Sequence, residues 1–267
     1  MKSRMLETAI EAAQLAGKVI AERYPGGRTV TVKGYRDMVT DADTASEAVI
    51  IELIRGRFPG HAILSEEAGA IDVNSEYTWI VDPLDGTTNY AHRHPVFAVS
   101  IGLAERGEPL MGVIHDPLRH HTFVAHRGNG TTLNGAPIHV SGAASLSNAM
   151  VGLDWGHTNE VRRQILRYLQ QIAPHCGTVR VLGSAALAMA YVAVGWLDAY
   201  FHVELKPWDA AAGMLMIAEA GGRCTTLEGK TYRVDLPGCL ATNSLVHDEL
   251  LTLMRRAHAT AEKVPTN

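Results

Sequence analysis

The stretch WIVDPLDGTTNY, residues 79–90, sets two carboxylates, Asp82 and Asp85, three positions apart directly after an apolar run. Trp79-Ile80-Val81 reads as a short buried strand ending at Asp82, since Pro83 denies a sheet its donor and Gly86 permits a tight turn. Two acids on one turn repel at neutral pH unless one is protonated or a cation bridges them. The neighbouring donors are oxygens, with no His or Cys among them, which suits Mg²⁺ or a similar hard ion better than zinc. Gly86-Thr87-Thr88 adds backbone N–H groups and hydroxyls of the kind that hold phosphate oxygens at a helix start.

A DxxD by itself is more often an Asx-type turn than a metal site, so the other acids decide. LSEEAG puts Glu66 and Glu67 just past a short apolar segment, where acids fit a strand end facing a cleft better than a core. DMVTDADTASEA gathers Asp37, Asp41 and Asp43 around a helix start; an N-cap role accounts for one of them, not three. LKPWDAAAG places Asp209 in the first turn of an alanine-rich helix, where the plain alternative is a complement to the helix dipole.

Helices and strands must bring these acids together. Met5, Ala9, Ile10, Ala13, Ala16, Val19 and Ile20 fall on one helical face, closed by YPGG. A second helix is expected over 42–57, followed by the short strand HAIL. Over 96–140 the runs VFAVSIGLA, LMGVIHD and TFVAH, separated by turn residues, read as antiparallel strands. From about Ser147 the texture alternates: a helix over 159–173, a strand around TVRVL, a helix over 184–194, the strand DAYFHV, a helix over 207–220, then two strands and a terminal helix. This order predicts an α+β half, residues 1–146, carrying most candidate metal ligands. An α/β half, residues 147–267, would carry the substrate pocket and the last ligand, with the boundary near SGAASLSNA.

Composition bounds the function. The chain has 267 residues, 46% of them apolar, enough for a large core. Its formal net charge is −4 with Arg and Lys scattered, so no footprint for nucleic acid is expected. Cys176, Cys224 and Cys239 lie far apart without CxxC spacing and read as reduced thiols rather than a disulfide framework or zinc site. No apolar run reaches the roughly 18 residues that span a bilayer, so the expectation is a soluble cytoplasmic protein with no membrane role. The histidines of HDPLRHH and AHRHP read as exposed or packed imidazoles.

DPLDGTTNY, with SEEAG upstream and PWDAAAGMLMIAEAGG downstream, resembles the inositol monophosphatase family of lithium-sensitive, magnesium-dependent sugar phosphatases. The likeness runs from KGYRDMVTDAD through GVIHDPLRHHTFVAHRGNGTTLNGAPIHVS and VRVLGSAALAMAYVAVGWLDAYF to the last strands. It implies a layered αβαβα sandwich, usually a homodimer, that hydrolyses small phosphorylated metabolites with two or three Mg²⁺ ions per active site. In such proteins the positions matching Glu66, Asp82, the Leu84 carbonyl and Thr87 surround one ion, and those matching Asp82, Asp85 and Asp209 a second. A weaker third lies near the glutamate. Asp43 would pair with Thr87 to orient or deprotonate the attacking water, the amides of Gly86 and Thr87 would hold the phosphate, and Glu66 completes the catalytic set. Asp37 reads as structural, and Lys33 as a residue near the entrance.

Substrate choice rests on fewer residues. The resemblance places Gly183, Ser184 and Ala185 of GSAAL beside the substrate ring, with Asp85 accepting from a hydroxyl. Inositol-selective members carry a glutamate seven residues before the late aspartate; here that position is His202, and Glu204 shares its face if the strand keeps register. A polyol would lose one acceptor there and an anionic substrate would gain a partner. Arg180 is a candidate for a second phosphate or for a structural ion pair. Inositol 1-phosphate is the first choice, with fructose 1,6-bisphosphate, histidinol phosphate or NADP as alternatives. A regulatory binding role, as in transcription complexes, is the alternative of another class.

Overall fold

Helix α1 (Lys2–Arg23) buries Met5, Ala9, Ala12, Ala13, Ala16 and Ile20, a stripe at three- and four-residue spacing. It packs on α2 (Asp41–Arg57), which buries Ala42, Ile50 and Ile54. Each of those isoleucines contributes roughly 1.5–3 kcal/mol by leaving water. The computed structural model describes residues 2–27, 29–72 and 74–261. Between the two helices an exposed hairpin, β1 (Val30–Gly34) and β2 (Asp37–Thr40), leads into α2. It was not singled out in the sequence: Val30 and Val32 alternate with Thr31, but the run is only five residues long and all five are exposed.

The larger sheet has eight strands: β3 (Ala62–Ser65), β4 (Gly69–Ile71), β5 (Tyr77–Asp85), β6 (Ala98–Glu105), β7 (Glu108–Asp116), β8 (His121–His126), β9 (Thr131–Leu133) and β10 (Ala136–Ile138). Their order is β10-β9-β8-β7-β6-β5-β3-β4. The strands expected over 96–140 are antiparallel, as read. Only β3 and β5 run parallel in this sheet, with Ser65 opposite Val81. Helix α3 (Thr87–Ala91) follows β5.

The second sheet comprises β11 (Met150–Leu153), β12 (Thr178–Val181), β13 (Ala199–His202), β14 (Arg223–Thr225) and β15 (Cys239–Thr242), in the order β12-β11-β13-β15-β14. β11 is parallel to both of its neighbours. Helices α4 (Asn159–Ile172), α5 (Ala185–Ala193), α6 (Pro207–Glu219) and α7 (His247–Ala261) complete the chain. α1 and α2 cover one face of the large sheet, α5 and α6 lie between the sheets, and α4 packs with α7 on the far side. This is the layered αβαβα arrangement. Glycines set its closest approach: a Cβ on Gly112 of β7 would stand 2.9 Å from the Ala212 Cα of α6. Among the described residues no helix is long and apolar enough to cross a membrane.

Two local expectations need correction. β5 does not end at Asp82 but continues to Asp85, because the extra residue is absorbed in a bulge: Asp82 pairs with Ser100 and Asp85 with Ala98. Pro83 lies inside that irregularity, where the ladder asks for no donor. None of the three early aspartates caps α2 either. Thr40 is the cap, accepting from the Ala42 N–H, and Asp43 sits at the third helical position.

Candidate active site

The parallel pairing of β3 with β5 brings two acids together. Ser65 of β3 faces Val81 of β5, so Glu66, the residue after β3, stands beside Asp82, which β5 carries on; the Glu66 N–H donates to the Val81 carbonyl at 3.1 Å. In a regular strand Asp82 and Asp85 would point to opposite faces; the bulge between them lets both line one cavity. From the second sheet, Asp154 follows β11, Gly183 follows β12 and His202 ends β13. The site therefore lies outside the carboxyl ends of parallel strands from both sheets.

The cavity, about 530 Å³, is lined by Glu66, Asp82, Leu84, Asp85, Gly86, Thr87, Gly183, Ser184, Ala185, His202, Glu204 and Asp209, all singled out in the sequence. Asp37 lies at its wall too. Asp43 stands behind it. Its Oδ2 accepts from the Thr40 N–H at 2.8 Å and the Thr40 hydroxyl at 2.5 Å, closing a capping box, while Oδ1 accepts from Thr87 Oγ1 at 2.9 Å. Asp209 repeats the pattern at the start of α6, where Oδ2 accepts from the Lys206 N–H at 2.8 Å. In both helices one oxygen serves the backbone and the other is left to the site.

Several further anchors hold the cluster. Ser46 of α2 donates to the Pro83 carbonyl at 3.0 Å. The Asp82 Oδ1 accepts from the Leu84 N–H at 3.0 Å. Glu47, buried and unremarked in the sequence, accepts from Ser65 and from the Glu67 and Ala68 N–H groups, and so fixes the turn that presents Glu66. Gly86 takes φ +96°, and a Cβ there would stand 2.9 Å from the Val96 carbonyl.

Burial opposes ionisation across the cluster. Desolvation, then the neighbouring Asp209, raise Glu66; desolvation and Glu66 raise Asp82 well above the carboxylate range. Each of the two stands among other acids, so ionising one disfavours ionising the next. Asp85 is pushed up to about 6 and Asp209 to about 7, both chiefly by burial. Crowded oxygens holding protons they would shed in water suit a hard divalent cation, which replaces the protons. Among the described residues no three acid, histidine or cysteine side chains already close on one point; Asp82 and Asp209 each give one oxygen to a backbone N–H.

Some expected contacts are taken up inside the protein. Ser184 caps α5, accepting from the Leu187 N–H at 3.3 Å and donating to Asp85. Asp85 also accepts from the Ala185 and Ala186 N–H groups at 3.2 and 3.0 Å, so it closes the start of α5. Lys33 pairs with Glu67 at 2.6 Å. Arg180 is exposed and does not line the cavity; it donates to Thr178 and the Val179 carbonyl, so the second-phosphate role fails. Burial lowers His202 to about 4, so it lines the cavity as a neutral imidazole, able to donate a hydrogen bond but without a positive charge for an anionic substrate.

Sequence reasoning missed Asp154. This buried acid accepts from the Leu182 N–H at 3.0 Å, the Gly183 N–H at 2.5 Å and the Tyr200 hydroxyl at 3.1 Å, so it holds the turn before Ser184; burial raises it to about 7. Asn89, inside the DGTTNY run, donates to the Val96 and Leu182 carbonyls, each at 2.8 Å, and ties α3 to the same turn. Its place in that run was an available signal.

The chain matches the inositol monophosphatase family over residues 1–260. It is 40% identical over 256 residues to an inositol-1-monophosphatase of Synechocystis, covering 92% of this chain and 86% of that protein. It is 38% identical over 257 residues to the Nus factor SuhB of Escherichia coli K12, covering 94% and 96%. The solved structure of the extragenic suppressor protein suhB of Bartonella henselae is similar with a TM-score of 0.90 at 32% identity, over 94% of this chain and 98% of that one. With its full-length match and its layered architecture, the chain belongs to the inositol monophosphatase family.

Proposed function

We propose that this protein is a Mg²⁺-dependent phosphoric monoester hydrolase acting on small phosphorylated polyols or sugars, with inositol 1-phosphate as the representative substrate. One observation carries the reading: Glu66, Asp82, Asp85 and Asp209, drawn from three segments of the chain, line one cavity with raised proton affinities beside the Thr87–Asp43 pair. Glu66, Asp82, the Leu84 carbonyl and Thr87 would hold one ion, and Asp82, Asp85 and Asp209 a second. Magnesium there supplies charge neutralisation for phosphoryl oxygens and lowers the pKa of water. The chain supplies the rest. Asp43 accepts the proton that Thr87 passes on, and the first-turn amides of α3, which lack partners within the helix, face the phosphate.

The test is inorganic phosphate release from a panel of monoesters with and without Mg²⁺, with Asp82→Asn as the blank. Release that needs the ion and disappears in the blank supports the reading. Similarity to proteins named Nus factors favours a second reading, in which the fold serves as a partner-binding module. No release above the blank on any monoester would make that the better account.

A further inference from the structure

β14 and β15 place two cysteines on one face. Cys224 lies opposite Ala241 and Thr225 opposite Leu240, so Cys239 is the diagonal neighbour of Cys224, in the core that α5 and α6 share. Cys239 is fully buried and Cys224 half-buried; both are free thiols. The Cys224 side chain, then burial, push the Cys239 thiol up, so Cys224 is the one that reacts first. Tyr232 joins them. Thr231 pairs with Thr225 along the other side of β14, and the next residue, Tyr232, packs in the same core with its hydroxyl buried and without a hydrogen-bond partner among the described residues. Burial raises that phenol, with both thiols adding to the effect, so it stays protonated as a spare donor beside two sulfurs. The group adjoins the cavity: Cys239 stands opposite His202 across β15 and β13, and the Pro237 carbonyl accepts from the Leu205 N–H at 2.6 Å on the approach to Asp209.

We propose that Cys224 and Cys239 are a peroxide-sensitive thiol pair whose reversible disulfide lowers turnover at the neighbouring site. The effect on turnover rests on the phosphatase reading above. The Cys224 sulfur breaks the O–O bond of hydrogen peroxide, keeps one oxygen as a sulfenic acid and releases the other as water, with the Tyr232 hydroxyl donating to the sulfenate. Cys239 then attacks that sulfur and the second oxygen leaves as water, so two thiols give two electrons and two protons to one peroxide. Diagonal residues of an antiparallel pair stand about 7–8 Å apart at Cα, whereas a disulfide prefers roughly 5.5–6 Å. Closing the bond therefore draws the three-residue edge strand β14 and β15 together by about 1–2 Å. Strained disulfides are the readily reduced ones, which makes the step reversible. A misplacement of about 1 Å near reacting groups costs about a hundredfold in rate, and His202 and Asp209 are the groups within reach of this shift.

The experiment treats the Mg²⁺-loaded protein with hydrogen peroxide, maps cysteine-linked peptides by mass spectrometry before and after a reducing phosphine, and measures kcat/KM for p-nitrophenyl phosphate on the same samples. A Cys224–Cys239 peptide that appears with peroxide, together with a fall in kcat/KM of about tenfold or more that the phosphine reverses, supports the proposal. Cys224→Ala should keep the basal rate and lose the response, Cys176→Ala should keep both, and Tyr232→Phe should form the disulfide about tenfold more slowly. Absence of the linked peptide, a peptide that forms with the rate unchanged, or a Cys224→Ala protein that loses activity as fast as wild type would overturn it. A reduced wild type that releases no phosphate would overturn the phosphatase reading and the effect on turnover with it, whereas the linked peptide reports on the thiol pair independently of that reading.

Discussion

The Thr87 hydroxyl lies 2.9 Å from Asp43 Oδ1 and 3.0 Å from the Leu84 carbonyl, joining the start of α3 to the start of α2 across 44 residues of chain. A hydroxyl has one proton, so it serves one acceptor at a time. Were a cation to occupy the Leu84 carbonyl, that proton would go to Asp43. Thr87→Ala and Asp43→Asn should each lower phosphate release by about 100-fold or more, the usual size of a lost acid–base group. Asp43→Asn also disturbs the capping box and should cost about 1 kcal/mol in urea denaturation, whereas Thr87→Ala should leave stability nearly unchanged. Steady-state rates and unfolding midpoints on the same samples check both.

The raised acids give the ion-free protein a pH-dependent stability of definite sign. Asp154 and Asp209 titrate at about 7 against an ordinary 3.8, so between those values the folded chain holds protons that the unfolded chain has released. Stability is therefore greatest at the acid end of the window and falls as pH rises through it. Melting in EDTA should shift downward from pH 5 to pH 8. At pH 8, Mg²⁺ at a hundredfold excess over its Kd should restore about 2.7 kcal/mol, a rise of roughly 5–10 °C. At pH 5 the rise should be much smaller, because protons compete for the same oxygens. A melting temperature that neither pH nor Mg²⁺ moves would contradict this.

Gly86 is required by both its backbone and its surroundings. Alanine there would adopt φ +96° and set a methyl 2.9 Å from the Val96 carbonyl and 3.1 Å from that of Gly183. Gly86→Ala should lose about 1–2 kcal/mol for the left-handed conformation alone, with the clash adding to it. A urea midpoint equal to that of wild type would show that the turn relaxes without cost.

Much of this site was legible in the sequence, and the rest was hidden for identifiable reasons. Asp82 and Asp85 taken alone read more readily as a turn and Asp209 equally well as a complement to the helix dipole; they stood out with Glu66 only as a set, in the order the family resemblance expects. The bulge in β5 could not be read, since a proline after an aspartate signals a strand end as readily as an irregularity. Asp154 escaped notice because β11 has four residues and its sequence, MVGL, shows no alternation.

Asp154 should prove to be a positioning residue. Asp154→Ala would strip acceptors from the Leu182 and Gly183 N–H groups and from Tyr200, at about 1–3 kcal/mol for each buried group left unpaired. Its KM for inositol 1-phosphate should rise as the Gly183 turn loosens. Tyr200→Phe removes one of those bonds and should cost only about 1 kcal/mol. Equal effects from the two variants would argue against the turn as the element that Asp154 holds.

A crystal grown with Mn²⁺ in place of Mg²⁺ tests the central claim most directly, because the ion scatters anomalously. The account predicts anomalous peaks among Glu66, Asp82, Asp85 and Asp209, with Asp82 shared between two of them. Density showing those four carboxylates apart with no ion between them would contradict it.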